Sequence, residues 1–279
     1  MKKAFITEEG KTAVTAYYER ILESLSVSYE QLLLPTQYGD TFALISGKAH
    51  GQTVILLHGS SMNSAMWIDD IQTLSHYYRV IALDIPGEPG KSDERQLSFE
   101  SDDYAYWLSE VLSLLKIGKA FLVGNSLGGW IALKFSILYP ECVEKAVLLA
   151  PAGIGSQNPE FAVRAMHLLP KGDTGVTELF TEINGGTAIP KDRLEYQKLI
   201  TSVFNARQEI IPLFTDEDLK KLSMPCMILL GEKDIMIQSQ ETKERAVRFI
   251  SHCTVRQYPE KGHSLVGMEQ EILHFLQDT

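Results

Sequence analysis

The sequence predicts an α/β fold in which helices flank a mostly parallel sheet. Short, continuous apolar runs, such as residues 52–57 and 79–84, alternate with longer helical patterns along most of the chain. Runs of this kind are typical of strands covered on both faces, and the alternation implies right-handed crossovers between parallel strands. A third observation is the pentapeptide Gly-Asn-Ser-Leu-Gly at 124–128, which joins a buried-strand run directly to a helix-forming run. That context predicts a sharp strand-to-helix turn.

The predicted elements follow one another at short intervals. Residues 12–25 carry an i, i+3, i+4 apolar stripe and predict an amphipathic helix. Residues 28–34 and 41–45, on either side of Gly39, predict a hairpin. The remaining predicted strands are 52–57, 79–84, 120–123, 143–150, 224–230 and 254–258, and the remaining helices of the same layer are 64–77, 99–115, 240–250 and 270–277.

The alternation stops between residues 156 and 221. Short helical patterns there are interrupted by glycine and proline, and no buried-strand run occurs. We therefore predict a core domain, 1–155 with 222–279, that includes an N-terminal helix within 1–27. The cap segment, residues 156–221, is predicted to be a helical insertion over the carboxyl edge of the sheet, where ligands bind in such folds.

Composition narrows the classes of partner. The formal net charge of −10 disfavours nucleic acid and anionic membrane surfaces, since both repel an acidic protein. The three cysteines are too scattered for a disulfide framework or a zinc site, so we expect neither a metal nor a cofactor. Charged residues precede any apolar run at the N-terminus, so we expect no signal peptide and no membrane span. The expectation is a cytoplasmic monomer or homodimer that acts on a small molecule.

Ser126 is the candidate nucleophile. To lift its hydroxyl clear of the sheet, the chain must turn so sharply that Ser126 takes a strained backbone conformation. Side chains two positions before and after it would collide, which accounts for Gly124 and Gly128.

A serine hydroxyl needs a general base to take its proton, and in this architecture the order along the chain is Ser, then Asp or Glu, then His. His263 lies in a loop just past a strand, and Asp234 also lies just past a buried strand. The other histidines after the serine fall in the cap segment, at a helix end and within the last helix: His167, His252 and His274. We therefore predict Ser126, Asp234 and His263 as a triad in which the carboxylate orients the imidazole.

Two backbone N–H groups must stabilise the negative charge that develops on the substrate carbonyl oxygen. We predict those of Leu127, at a helix N-terminus, and Ser60, in the loop after the 52–57 strand. Ser61 and Asn125 are candidate substrate contacts beside them. His58 is predicted to brace this loop, and Asp84 to anchor its own turn by accepting backbone N–H bonds.

Together these segments resemble the α/β-hydrolase superfamily from about residue 28 onward. The matching segments are His58-Gly59, Asp84-x-x-Gly87-x-x-Gly90-x-Ser92, Gly124-x-Ser126-x-Gly128-Gly129, Gly231-x-x-Asp234 and Gly262-His263. The resemblance implies the α/β-hydrolase fold: a mostly parallel eight-stranded sheet, flanked by helices, with a helical cap insertion. It also implies a serine hydrolase that acts through an acyl-enzyme.

Three functions stay open. The first is a carboxylesterase acting on small to medium acyl esters or thioesters. The second is a carbon–carbon bond hydrolase of ring-fission products, in which a cap arginine (Arg164 foremost, or Arg193 or Arg207) holds a substrate carboxylate; against it, the loop at 58–63 departs from the H-G-x-G-P-G pattern of those enzymes. The third is a non-catalytic, hydrolase-like binding protein, which would not need both Asp234 and His263.

Overall fold

One eight-stranded sheet forms the centre of the computed structural model, which describes residues 3–278. In chain order the strands are β1 (Tyr29–Thr36), β2 (Gly39–Gly47), β3 (Thr53–Leu57), β4 (Arg79–Leu83), β5 (Ala120–Asn125), β6 (Val143–Leu149), β7 (Cys226–Gly231) and β8 (Cys253–Tyr258). They are arranged in the order β1-β2-β4-β3-β5-β6-β7-β8. Only the β1–β2 and β2–β4 pairs are antiparallel. The predicted mostly parallel sheet and its N-terminal hairpin are therefore confirmed.

The central strands explain the continuous apolar runs in the sequence. Every residue of β3, β5 and β7 is buried, whereas the edge strand β1 is mostly exposed or half-buried. Strands covered on both faces have no solvent side on which polar residues would alternate. The carboxyl ends of these strands consequently meet at one buried edge, from which the site is built.

Helices flank the sheet. They are α1 (Glu8–Leu22), α2 (Ile68–Leu74), α3 (Asp103–Leu114), α4 (Leu127–Leu138), α5 (Pro159–Leu168), α6 (Asp173–Ile183), α7 (Lys191–Val203), α8 (Asp216–Lys220), α9 (Ser239–Phe249) and α10 (Glu269–Gln277). Helix α4 packs on β3, β5 and β6, α2 packs on β4, and α9 packs on β7 and β8. Among the described helices, none is both long and apolar enough to cross a bilayer.

The first helix begins at Glu8, four residues before the predicted start. The Thr7 side chain accepts a hydrogen bond from Gly10 N (3.0 Å) and caps the helix, and Glu8 and Glu9 lie in its first turn. Carboxylates there interact favourably with the positive end of the helix dipole. The apolar stripe that marked the helix misses this turn because its residues are polar.

Helices α5 to α8 lie between β6 and β7, in the cap segment. Helix α5 packs on α6, α6 packs on α7, and α7 packs on α1. The end of α6 reaches the loop that carries His263, where Ser264 N donates to Ile183 O (3.3 Å). The cap segment therefore contacts both the N-terminal helix and a loop at the carboxyl edge of the sheet.

Candidate active site

Ser126 lies between β5 and α4 with φ 49° and ψ −107°. A positive φ is strained for a residue with a side chain, as predicted for this turn. A Cβ on Gly124 would lie 2.4 Å from Gly128 O, and one on Gly128 would lie 2.0 Å from Leu57 O. The turn therefore closes only with glycine at both positions, and it holds Ser126 at the carboxyl end of β5, 9% exposed.

Asp234 and His263 are brought together from the loops after β7 and β8. His263 Nδ1 lies 2.7 Å from Asp234 Oδ2, and the carboxylate side chain is fully buried. The second oxygen, Oδ1, accepts from Met236 N (2.7 Å) and Ile237 N (3.0 Å). These two bonds fix the carboxylate with Oδ2 towards the ring. Oδ2 then accepts from Nδ1–H, which favours the imidazole tautomer that has no proton on Nε2.

The other ring nitrogen of His263 has no partner. Nε2 is buried and makes no hydrogen bond within residues 3–278. A buried polar atom without a protein partner costs free energy, and a role in binding a ligand or moving a proton is one explanation for it. With the proton on Nδ1, Nε2 is the basic atom of the ring.

The loop after β3, residues 58–63, is called the β3 loop below. As predicted, His58 braces it: the buried ring bonds Gly59 O through Nδ1 (2.8 Å) and accepts from Ile85 N through Nε2 (2.9 Å). Burial lowers the pKa of His58, so the ring is the neutral bracing group that these two bonds require. Within the described part of the chain, Ser60 N and Leu127 N donate to no protein acceptor. Both predicted oxyanion donors are thus free to bind a substrate oxygen.

The N–H of Ser61, unlike that of Ser60, has a protein acceptor. It donates to Glu88 Oε2 (2.7 Å), and Glu88 is buried in the loop after β4. Glu88 is not among the site residues predicted from the sequence. A glutamate in a loop rich in glycine and proline looks like a solvated turn residue, and its half-buried partner Ser61 lies 27 positions earlier.

Asp84 anchors the loop after β4, residues 84–92, called the β4 loop. Its carboxylate accepts from Ser64 N (2.8 Å), Lys91 N (2.8 Å) and the Tyr18 hydroxyl (3.0 Å). The carboxylate is saturated by these donors, which agrees with the predicted anchoring role.

Asn125 and Arg164, two of the candidate substrate contacts, bond groups of the protein. The Asn125 amide donates to Leu149 O (3.3 Å) and ties β5 to β6. The Arg164 guanidinium lies at the cap surface and pairs with Glu178 and Glu182 of α6. The other two arginines considered are also paired, Arg193 with Asp69 and Arg207 with Glu209.

The apolar residues of the cap segment divide between two surfaces. Leu168 is buried and Phe161 and Phe180 are half-buried. Met166 is 77% exposed and Leu169 is also exposed. The physical reason is helical periodicity: Met166 lies on the face of α5 opposite to the one that packs on α6.

Comparisons with known proteins show the family to which the chain is related. Residues 54–273 match a family described as the alpha/beta hydrolase family. A protein of Bacillus subtilis (strain 168) named uncharacterized carboxylesterase nap is 30% identical over 275 residues, covering 91% of this chain and 88% of that protein. The crystal structure of carboxylesterase CesB (YbfK) from Bacillus subtilis has a TM-score of 0.85 at 28% identity, covering 96% of this chain and 99% of that one.

A further relative carries a different title. A 2-hydroxy-6-oxononadienedioate/2-hydroxy-6-oxononatrienedioate hydrolase of Paraburkholderia phymatum is 39% identical over 142 residues, covering 49% of this chain and 45% of that protein. A 2-hydroxy-6-oxo-6-(2'-aminophenyl)hexa-2,4-dienoic acid hydrolase of Metapseudomonas resinovorans is 26% identical over 260 residues, covering 88% of this chain and 88% of that protein. Similarity over nearly the whole chain therefore extends both to esterases and, at lower identity, to a hydrolase of this second kind.

Proposed function

Because the chain belongs to the alpha/beta hydrolase family and is a serine hydrolase, we propose that it hydrolyses carboxylic esters of small to medium acyl chains through a Ser126–His263–Asp234 triad. The observation that carries the proposal is the oriented imidazole. Asp234 accepts from His263 Nδ1 at 2.7 Å, while His263 Nε2 is buried and unpartnered among the described residues. The two esterase relatives, which cover about nine-tenths of the chain or more, support the ester as the substrate class.

The chemistry follows from the atoms present. Ser126 Oγ attacks the carbonyl carbon of the ester while His263 Nε2 takes the hydroxyl proton. The tetrahedral intermediate collapses, the alcohol leaves with the proton from Nε2, and the acyl group stays on Ser126. A water molecule then attacks the acyl-enzyme, with Nε2 again taking and returning a proton, which releases the acid and restores the serine.

Stabilisation of the oxyanion is assigned to Ser60 N–H and Leu127 N–H. Leu127 is the first residue of α4, so its N–H also carries the positive end of the helix dipole. A donor of this kind contributes about 3 kcal/mol to transition-state stabilisation. The free N–H groups support the assignment, because no protein acceptor within residues 3–278 competes for them.

A carbon–carbon bond hydrolase is the second candidate, since two relatives bear such titles, one over half of the chain and one over 88% of it. That reaction was expected to need a cap arginine for the substrate carboxylate. Arg164, Arg193 and Arg207 all pair with carboxylates of the protein, which favours the ester over the diketo acid.

A series of p-nitrophenyl esters from acetate to octanoate tests the substrate class. We expect kcat/KM to rise from acetate over the first added methylenes, by up to about fourfold for each, because burial of a CH₂ group contributes about 0.8 kcal/mol. Turnover of a vinylogous diketo acid under the same conditions is expected to be slower than that of the best ester.

Ser126→Ala is the control variant and should lower kcat by several orders of magnitude while the protein stays folded. A kcat/KM that falls from the first methylene would contradict an apolar acyl site. Faster turnover of the diketo acid than of any ester would favour the second candidate.

A further inference from the structure

Glu88 is a buried carboxyl group attached to the β3 loop. It is 2% exposed, and its Oε2 accepts from Ser61 N at 2.7 Å. Ser61 follows Ser60, whose N–H is the proposed oxyanion donor. The Glu88 bond therefore acts on the peptide unit next to the one that faces the substrate oxygen.

The β3 loop needs such a bond because its backbone is strained at this residue. Ser61 has φ 56°, in the left-handed region that residues other than glycine rarely occupy. A conformation of this kind persists only where surrounding groups hold it. In the described structure, the Glu88 carboxyl is the group that bonds Ser61 N, whereas the Asn63 amide fixes the far end of the loop by donating to Pro89 O (2.8 Å).

We propose that Glu88 is a positioning residue that aims the Ser60 N–H at the oxyanion by holding Ser61, and that ionisation of Glu88 switches the esterase off. The inference rests on the proposed function, because it assigns a proton-controlled step to the same site. A negative charge on Glu88 would lie against Ser61, the residue next to the proposed oxyanion donor Ser60. It would repel the negative charge that develops on the substrate oxygen and so raise the energy of the transition state.

The charged and titratable groups that face Glu88 come from two other elements. Arg207, which follows α7, is attractive but is not bonded to Glu88: it donates to the Tyr104 hydroxyl (2.8 Å), to Leu97 O (2.7 Å) and to Glu209. Tyr104, on α3, is buried, and burial raises the pKa of its hydroxyl, so it stays neutral. Glu88 therefore lacks a cation within hydrogen-bond distance among residues 3–278.

Burial decides the protonation state of Glu88. It raises the pKa of the carboxyl to about 8, and the opposing effects of the Ser61 N–H bond and the Arg207 charge are smaller. Because the group is an acid with a raised pKa, it is neutral below about pH 8 and anionic above it. Activity should accordingly decline on the alkaline side.

The first test is kcat/KM for a p-nitrophenyl ester between about pH 6 and pH 10. The wild type is expected to lose at least about tenfold through an ionisation near pH 8, since a charge a few ångströms from the oxyanion costs more than one factor of ten. Glu88→Gln keeps an oxygen acceptor without a charge and should abolish the alkaline decline. Glu88→Leu removes the acceptor and should lower kcat at every pH with little change in KM.

Glu100→Gln is the matched control, because Glu100 is an exposed glutamate in the segment before α3. Its pH profile should match that of the wild type. An alkaline decline that persists in Glu88→Gln would overturn the inference, as would a kcat for Glu88→Leu equal to that of the wild type.

A second measurement separates this inference from the proposed function. With ¹⁵N-serine labelling, the Ser61 amide signal should shift with pH in the wild type, with a midpoint near 8, and should not titrate in Glu88→Gln. This readout needs no catalysis, so it stands even if the protein hydrolyses no ester. A Ser61 amide that does not titrate between about pH 6.5 and pH 9.5 in the wild type overturns the inference.

Discussion

At the scale of single residues, the two oxygens of Asp234 have separate tasks. Oδ1 is occupied by the N–H groups of Met236 and Ile237, and Oδ2 by His263 Nδ1. An ionised carboxylate accepts at both oxygens, whereas an amide accepts at one and donates at the other. The arrangement therefore discriminates between aspartate and asparagine at this position.

Asp234→Asn tests that discrimination. The asparagine oxygen is expected to stay with the two backbone N–H groups, so its NH₂ faces His263 and forces the ring proton onto Nε2. A ring with that tautomer cannot take the Ser126 proton, and kcat should fall by on the order of 10⁴-fold. Steady-state kinetics with thermal unfolding of the same preparation measures both activity and folding.

Asp84→Asn is the control variant for Asp234→Asn. Asp84 accepts from two backbone N–H groups and the Tyr18 hydroxyl, so its replacement should lower stability more than kcat. A larger loss of kcat in Asp84→Asn than in Asp234→Asn would move the acid role to Asp84.

The sequence predicts some of these residues and not others, for a physical reason. Ser126 and Asp234 each follow a fully buried strand, and His263 follows the edge strand β8. Parallel strands bring their carboxyl ends to one edge, so local pattern suffices to place these residues. The environment of Glu88 and of Arg164 depends on side-chain partners elsewhere in the fold. No local pattern distinguishes a buried loop glutamate from a solvated one, or a free arginine from one paired with Glu178 and Glu182.

At the scale of elements, helix α7 is attached to the β3 loop. Asn63 Nδ2 donates to the Tyr196 hydroxyl (2.7 Å), and the Tyr196 ring stacks on Tyr17 of α1, with centroids 4.8 Å apart. A movement of α7 would therefore pull on the loop that carries Ser60. A buried hydrogen bond therefore links the cap segment to the loop that carries Ser60, one of the two proposed oxyanion donors.

Tyr196→Phe tests the link, since it keeps the stacked ring and removes the acceptor. We expect a loss of about 1 kcal/mol in the free energy of unfolding and a fall in kcat of about three- to tenfold, because the loop is less well oriented. Chemical unfolding and single-turnover kinetics measure the two effects.

Tyr17→Phe is the control variant, because Tyr17 lies on α1 and its ring stacks on that of Tyr196 of α7. It removes the bond from the Tyr17 hydroxyl to Asp192 O (2.9 Å), which joins α1 to α7 without contact to the β3 loop. Stability should fall by a similar amount and kcat should not. Equal losses of kcat in both variants would show that general destabilisation, rather than the loop, lowers the rate.

Helices and strands can be predicted where their packing produces a regular pattern of apolar residues. A strand buried on both faces produces a continuous apolar run. The continuous apolar runs predicted every central strand, and only element ends moved. The helix predicted at 99–115 begins at Asp103, because residues 99–102 form a bend that buries Phe99 without helical bonds. In the cap segment, where helices are short and half-exposed, periodicity alone did not separate an inner face from an outer one.

At the scale of the whole molecule, the candidate site is covered. Ser126 and His263 are buried, and Ile183 of α6 bonds the loop that carries His263. We infer that the cap segment acts as a lid that moves when substrate enters, as loops over active sites commonly do. Burial of the site also strengthens the interactions of the proposed oxyanion donors.

Active-site labelling with a fluorophosphonate tests the central claim, that Ser126 is the nucleophile activated by His263. The probe phosphonylates an activated serine with loss of fluoride, so intact-protein mass spectrometry should show one adduct per chain. Peptide mapping should place that adduct on Ser126, and Ser126→Ala should take up none. Stoichiometric labelling of Ser126→Ala, or an adduct mapped to another serine in the wild type, would contradict the account.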